Sequence, residues 1–267
     1  MLDVSVSINL FDSEELLEAL LINYLDIGVK HVSIVYQLVS NHGNEANPKL
    51  LNMLNKYKEI GLVDDLIEYR PNKQLSPHFN EMSKRQMGLF SALKNDCKYF
   101  ITSDCDEFYD KQQFIKAYNY IVENGIESSF CHINDYYVKP QYKIDALQSY
   151  YVPFIYKIDV NDCFIMNRFN NPYCDPTRQL KNSGSIIFDA NSIVMNHMTT
   201  VRATRENLYK KFNNSSAKVN FGDVNSITNR HWDFVLGDAN PIHPNIIVVD
   251  DKFRINHSLE NYIKYWS

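Results

Sequence analysis

At 267 residues, with 45% hydrophobic residues and a formal net charge of −5, the chain can fill one large core and offers no electrostatic footprint for nucleic acid. Its five cysteines (Cys97, Cys105, Cys131, Cys163 and Cys174) are odd in number and show no CxxC spacing, so they read as reduced thiols in a cytosolic compartment. The opening Met1-Leu2-Asp3-Val4-Ser5 has no basic segment followed by an apolar run, so no secretory signal is expected, and no stretch of about 18 apolar residues is present to span a membrane.

Along the chain, Val4 to Ile8 alternates and predicts a first strand. Asp12 and Glu15 stand at capping-box spacing before a helix with the stripe Leu16, Leu17, Leu20, Leu21, Tyr24 and Leu25, closed by Gly28. Val32 to Tyr36 predicts strand two. Asn47-Pro48 opens a second helix that Gly61 closes, and Leu66 to Tyr69 predicts strand three. Ser76-Pro77 starts a third helix that runs to about Leu93. An apolar run from Tyr99 then predicts strand four, and Asp110 with Gln113 caps a fourth helix ending at Gly125. Repeated β-α units of this kind predict an α/β fold with a mostly parallel central sheet flanked by helices. Residues 126–267 are less regular. Ser128–Tyr137, Tyr150–Ile158 and Ile186–Val194 predict strands, and Thr204–Phe212 and Ser258–Trp266 predict helices.

Chemistry concentrates where strand four ends, at Thr102-Ser103-Asp104-Cys105-Asp106-Glu107-Phe108. Alternation along a strand would put Asp104 and Asp106 on one side. Two carboxylates held close repel each other unless a cation lies between them. Hard oxygen ligands suit Mg²⁺ or Mn²⁺, ions that keep open positions for substrate phosphates. In doubly wound sheets ligands bind outside the carboxyl ends of the strands, which is where this pair falls.

The first 125 residues resemble bacterial glycosyltransferases of the GT-A fold, close to the family-2 type. Three segments carry the resemblance: strand one with Asp12-Ser13-Glu14-Glu15 and its Leu-rich helix, Ser83-Lys84-Arg85-Gln86-Met87-Gly88-Leu89, and Asp104-Cys105-Asp106-Glu107-Phe108 as a DxD motif of the DxDEF type. Farther on it rests on Asp175-Pro176-Thr177-Arg178 and on Met195-Asn196-His197 followed by Arg202. The resemblance implies a nucleotide-sugar-binding β/α half over 1–125. Residues 126–267 would be the acceptor-binding and C-terminal part of the same domain, irregular α+β in kind. It implies a UDP- or GDP-linked donor and a glycan or lipid-linked glycan acceptor in bacterial cell-surface polysaccharide or lipopolysaccharide synthesis. It also implies a cytoplasmic enzyme able to attach peripherally to the inner membrane face. One departure is visible: where the family often has carboxylates after strand two, this chain reads Tyr36-Gln37-Leu38-Val39-Ser40.

On that reading Mn²⁺ or Mg²⁺ is held by Asp104, Asp106 and His197, with His231, His243 and His257 as competitors for the histidine role. Asp104, Lys84, Arg85 and Arg178 contact the donor, and Arg202 is a further phosphate candidate. Asp175 is the general base for an acceptor hydroxyl, with Asp135 and Asp233 as alternatives. Three rivals remain. An aspartate-nucleophile phosphatase also ends a strand in DxD, and Ile247-Val248-Val249-Asp250-Asp251 is similar to its late strand element. A sugar-phosphate nucleotidyltransferase is disfavoured because the loop Asn9-Leu10-Phe11-Asp12-Ser13 has no glycine. A non-catalytic carbohydrate-binding protein on the same fold would keep the fold and lose the chemistry.

Overall fold

The computed structural model describes residues 1–166, 172–180, 185–215, 221–238 and 245–266. Four strands, β1 (Leu2–Leu10), β2 (Val29–Tyr36), β3 (Asp65–Glu68) and β4 (Tyr99–Asp104), run parallel in the spatial order β4-β1-β2-β3. The connecting helices are α1 (Leu17–Ile27), α2 (Leu50–Glu59) and α3 (Pro77–Lys94). The chain winds outward from β1 to β3, and α3 then carries it back to set β4 on the free side of β1. The winding direction therefore reverses between β1 and β4, where a doubly wound sheet opens a crevice at its carboxyl edge.

The rest of the sheet is mixed, mostly antiparallel but with two short parallel pairings, and is built largely by the second half of the chain. Beyond β4 lie β8 (Val152–Lys157), β6 (Ser128–Tyr136), β7 (Tyr142–Leu147) and β11 (Ile246–Val248), in that order. Strand β6 changes neighbours along its length. Its first residues pair antiparallel with β8 and parallel with β9 (Ser185–Ile187), and its last pair antiparallel with β7 and parallel with β10 (Val194–His197). Strand β10 also pairs antiparallel with β5 (Glu107–Tyr109), which directly follows the acidic turn. The predicted strand over Ile186–Val194 is thus two strands, β9 and β10, separated by a turn in which Asp189 accepts from the backbone of Asn191 and Ser192.

Period-two alternation explains how the layers stack. Val4, Val6, Ile8 and Leu10 of β1 join the main core with Leu17, Leu20, Leu21 and Tyr24 of α1. The opposite face of β1 is small and polar: Ser5, Ser7, Asn9. Small residues let α3 approach closely, and at Gly88 an added Cβ would lie 1.9 Å from Ser7 Oγ. On β4 the same face carries Phe100, Thr102 and Asp104. Phe100 packs with Leu89 and Ala92 of α3 in a second cluster.

Two of the expected helix openings hold and two do not. Helix α2 begins at Leu50 with Lys49 as its cap and no side-chain bond, so Asn47-Pro48 belong to the turn before it rather than opening it. Ser76 caps α3 with Pro77 in its first turn, and Asp110 caps α4 (Lys111–Glu123) by accepting from Gln112 and Gln113. The Asp12/Glu15 capping box does not form. A 3-10 turn over Glu14–Leu16 precedes α1, its cap is Ser13 at φ 69° with no side-chain bond, and Glu15 turns inward instead. The remaining helices are α5 (Arg205–Asn214), α6 (Val224–Trp232) and α7 (Ile255–Tyr265). Helix α7 docks on the first half, where Tyr262 donates to Glu14 at 3.0 Å and Ser258 to the Glu15 carbonyl at 2.8 Å. No described helix is long and apolar enough to cross a membrane.

Candidate active site

A cleft opens at the carboxyl ends of β1, β2 and β4, with a volume of about 810 Å³ including its open mouth. The first half of the chain supplies Asn9 from the end of β1, Phe11 and Asp12 after it, Gln37, Ser40 and Asn41 after β2, Glu81, Lys84 and Arg85 of α3, and Asp104 and Asp106. The second half supplies Asp175 and the end of α5, namely Lys211, Asn214 and Ser215.

The two aspartates do face one cleft, but not by strand alternation. Strand β4 ends at Asp104, and Cys105-Asp106 form a turn leading into β5. The turn gives each carboxylate its own set of partners. Asp104 is a third exposed. It meets Arg85 Nη2 at 3.3 Å and pairs closely with Arg178, while its own N–H donates to Glu107 Oε2 at 3.0 Å. Arg178 also forks onto Glu107, at 2.9 Å from Nη1 and 2.6 Å from Nη2, in a pair that is nearly fully buried. Burial alone would raise the pKa of Asp104, but Arg178 and then Arg85 outweigh it and hold the carboxyl well below the usual range.

Asp106 is buried. Its Oδ2 accepts from Arg202 at 3.0 Å and from Lys211 at 2.9 Å, while Oδ1 faces His197 Nε2 at 3.7 Å. Burial opposes its charge, and Lys211, His197 and Arg202 together overcome that and depress its pKa. His197 is placed by strand register, opposite Glu107 on β5 and opposite Asp135 on β6. Its Nδ1 lies 3.0 Å from Asp135 Oδ1, which assigns the proton to Nδ1 and leaves Nε2 toward Asp106. Burial disfavours the imidazolium, yet the bond to Asp135 and the charges of Asp106 and Asp135 raise the His197 pKa.

The predicted metal ligands are brought together in part. Asp106 Oδ1 and His197 Nε2 face each other, with a carboxylate on the far ring nitrogen, an outer partner that metal-bound histidines commonly have. Asp104 instead gives its oxygens to guanidinium groups. Among the described residues no group of three His, Cys, Asp or Glu side chains is placed to hold a metal ion. Of the expected ligands within the described residues, only Asp106 and His197 could both reach one ion, and the rest of its shell would have to come from a bound ligand.

Other predicted residues fall on both sides of the line. Lys84 and Arg85 line the cleft, Lys84 with Glu81 at 3.0 Å and Arg85 with Thr102 at 2.9 Å. Asp175 lines it as well, and its Oδ1 caps the turn at Thr177. Arg178 and Arg202 lie outside the lining. They are nearly fully buried and hold Glu107, Asp104 and Asp106, so they support the acidic turn. His231 packs on Tyr137 and Phe212, His257 is exposed on α7, and Asp233 is exposed at the end of α6. His243 lies outside the described residues. Asp250 and Asp251 follow β11, separated from β4 by three strands, and Asp251 caps α7. The phosphatase reading needs that element beside Asp104, so it loses its second support.

Several residues at the cleft and the acidic turn were not legible beforehand. Lys211 sits on an unremarkable polar helix, and Asn9 on a strand read only for its apolar residues. Asn9 Nδ2 reaches Asp104 at 3.4 Å, while its buried Oδ1 has no protein partner, as is also true of Arg85 Nε. Glu15 is buried with both oxygens unbonded, 3.9 Å from Arg202 Nε, and its pKa is pushed up to about 7 by burial and by Glu14.

No family model matches the chain, and no curated protein matches it. Among solved structures it is similar to S. aureus TarS, with 12% identity over 86% of this chain and 42% of that one and a TM-score of 0.45. Residues 1–349 of TarS in complex with UDP-GlcNAc match at 13% identity over 78% of this chain and 64% of that one, with a TM-score of 0.45. The UDP complex of the same segment matches at 17% identity over 49% and 34%, with a TM-score of 0.34. The chain thus spans between about a third and two thirds of the length of the solved structures it matches.

Proposed function

We propose that the protein is a metal-dependent glycosyltransferase that moves a sugar from a nucleotide diphosphate donor, linked to uridine or guanosine, to a glycan or lipid-linked glycan hydroxyl. One observation carries this reading. The described lining of the switch-point cleft holds five carboxylates (Asp12, Glu81, Asp104, Asp106, Asp175) against three cations (Lys84, Arg85, Lys211). Such a lining repels a bare diphosphate and admits one that arrives with a divalent cation.

Asp106 and His197 are the residues to hold Mn²⁺ or Mg²⁺, which supplies neutralisation of charge growing on the leaving diphosphate. Lys84 and Arg85 face the phosphates from α3. Arg178 and Arg202 fix the acidic turn so that its carboxylates do not move as charge shifts. Phe11 offers a flat apolar face for the base, and the unpartnered Asn9 Oδ1 awaits a donor such as a sugar or ribose hydroxyl. Asp175 is partly exposed in the cleft wall, with one oxygen spent on its turn and the other 3.7 Å from Arg178 Nε. It is the candidate to take the acceptor proton. Asp135 is committed to orienting His197.

The test is calorimetric titration of UDP and GDP into the wild type and Asp106→Asn, with and without Mn²⁺. Binding of one nucleotide that requires Mn²⁺ and is lost in the folded variant is the expected result. Silence toward every nucleotide diphosphate in the presence of Mn²⁺ would sink the reading.

A further inference from the structure

Asp106 is held by three basic side chains, and they are anchored very differently. Arg202 is fully buried, and besides Asp106 its Nη1 donates to the carbonyls of Met198 at 2.9 Å and Val201 at 2.7 Å. His197 is tied from behind by Asp135. Lys211 is only half-buried and has no second anchor among the described residues. Its side chain is 26% exposed, and its one described bond is the 2.9 Å contact to Asp106 Oδ2. It also lines the cleft beside Asn214 and Ser215 of the same helix end, so a flexible stem can swing the ammonium along the wall it already occupies.

Oδ2 of Asp106 is thereby shared between two cations, one fixed and one exchangeable. A divalent ion approaching Oδ1 and His197 meets the Lys211 charge at close range and is repelled. A nucleotide diphosphate reverses the balance, because the ammonium then gains phosphate oxygens as partners. We infer that Lys211 is a built-in cation that occupies Asp106 in place of the metal, and that it transfers its ammonium to the diphosphate when metal and nucleotide enter together. The inference rests on the transferase reading and adds an ordered requirement to it: the metal binds well only with the nucleotide. By linkage, each ligand raises the other's affinity by the same factor.

The experiment follows the electron paramagnetic resonance signal of free Mn²⁺ during titration of wild type, Lys211→Met, Lys211→Gln and Lys211→Arg, each checked for folding by circular dichroism. Without nucleotide, the wild type and Lys211→Arg should bind Mn²⁺ weakly, and the two uncharged variants about tenfold more tightly or better. With Mn²⁺ present, UDP should bind the uncharged variants about tenfold less tightly than the wild type. Equal Mn²⁺ affinity in all four proteins overturns the inference, and so does tightening in Lys211→Arg, which would mark lost packing rather than lost charge. A wild type that binds UDP with Mn²⁺ while the variants match it removes only the role of Lys211. A wild type that ignores UDP at saturating Mn²⁺ removes the transferase reading, and the exchange falls with it.

Discussion

Single side chains settle whether the charges of the acidic turn are held in place or left unpaired. Arg178 forks across Glu107 and Asp104, and because Glu107 is buried with no other cation paired to it among the described residues, removing Arg178 strands that carboxylate. Arg178→Met should cost about 3–5 kcal/mol of stability in urea unfolding. Arg178→Lys should recover only part of that, because one ammonium cannot span both partners. A loss under about 1 kcal/mol would mean the pair is solvated. Glu15 makes an opposite kind of statement. Its pKa in the folded protein, about 7, lies above the ordinary carboxylate value, so the folded state binds the extra proton. Stability contributed by that proton is complete below about pH 4.5 and is lost as pH rises through 7. Glu15→Gln, which mimics the protonated form, should therefore match the wild type near pH 4.5 and exceed it by roughly 1–3 kcal/mol at pH 8. Urea midpoints measured across that range decide it, and a pH-independent difference would refute the buried-proton account. Neither residue announces its role in the sequence. Arg178 reads as a phosphate ligand and Glu15 as a helix cap, since partners 71 and 187 residues away are invisible to local pattern.

Elements of the first half were legible because each is decided locally. Gly28 closes α1 in a left-handed conformation, Ser76-Pro77 opens α3, and alternation marks β1. The second half was less so. Strands β5, β9 and β11 have three residues each, too few for a period to show, and β10 has meaning only through its two neighbours. One contact between elements carries a direct test. Helix α3 lies on β1 through Gly88 and Ser7, and an added methyl would stand 2.5 Å from Ser7 Cβ. Gly88→Ala should destabilise by about 1–3 kcal/mol through overpacking. Combined with Ser7→Gly, it should cost less than the sum of the two single changes. Strict additivity in the double-mutant cycle would place α3 farther from the strand. Because α3 also carries Lys84 and Arg85, the same methyl should weaken nucleotide binding.

Across the whole molecule, the cleft is a seam between the two halves of the chain, so its occupancy should be felt by both. UDP with Mn²⁺ at about a hundred times its dissociation constant should add about 2.7 kcal/mol to stability and raise the melting temperature in a single transition. UDP without metal should not. A shift confined to one of two resolved transitions would show that the halves unfold separately. The layout of β4, β5 and β10 has a last consequence, for how the protein comes into being. Among the described side chains that neutralise the acidic turn, Lys84 and Arg85 precede it in the chain, whereas Arg178, His197, Lys211 and Arg202 follow. During synthesis Asp106 and Glu107 therefore emerge from the ribosome long before their counter-charges, and β5 emerges before the strand it pairs with. The parallel strands can form at once, but their acidic tip cannot be buried until some hundred further residues have been made. The nascent first half is obliged to wait with that edge hydrated and open, and the acidic turn is among the last parts of the molecule to close.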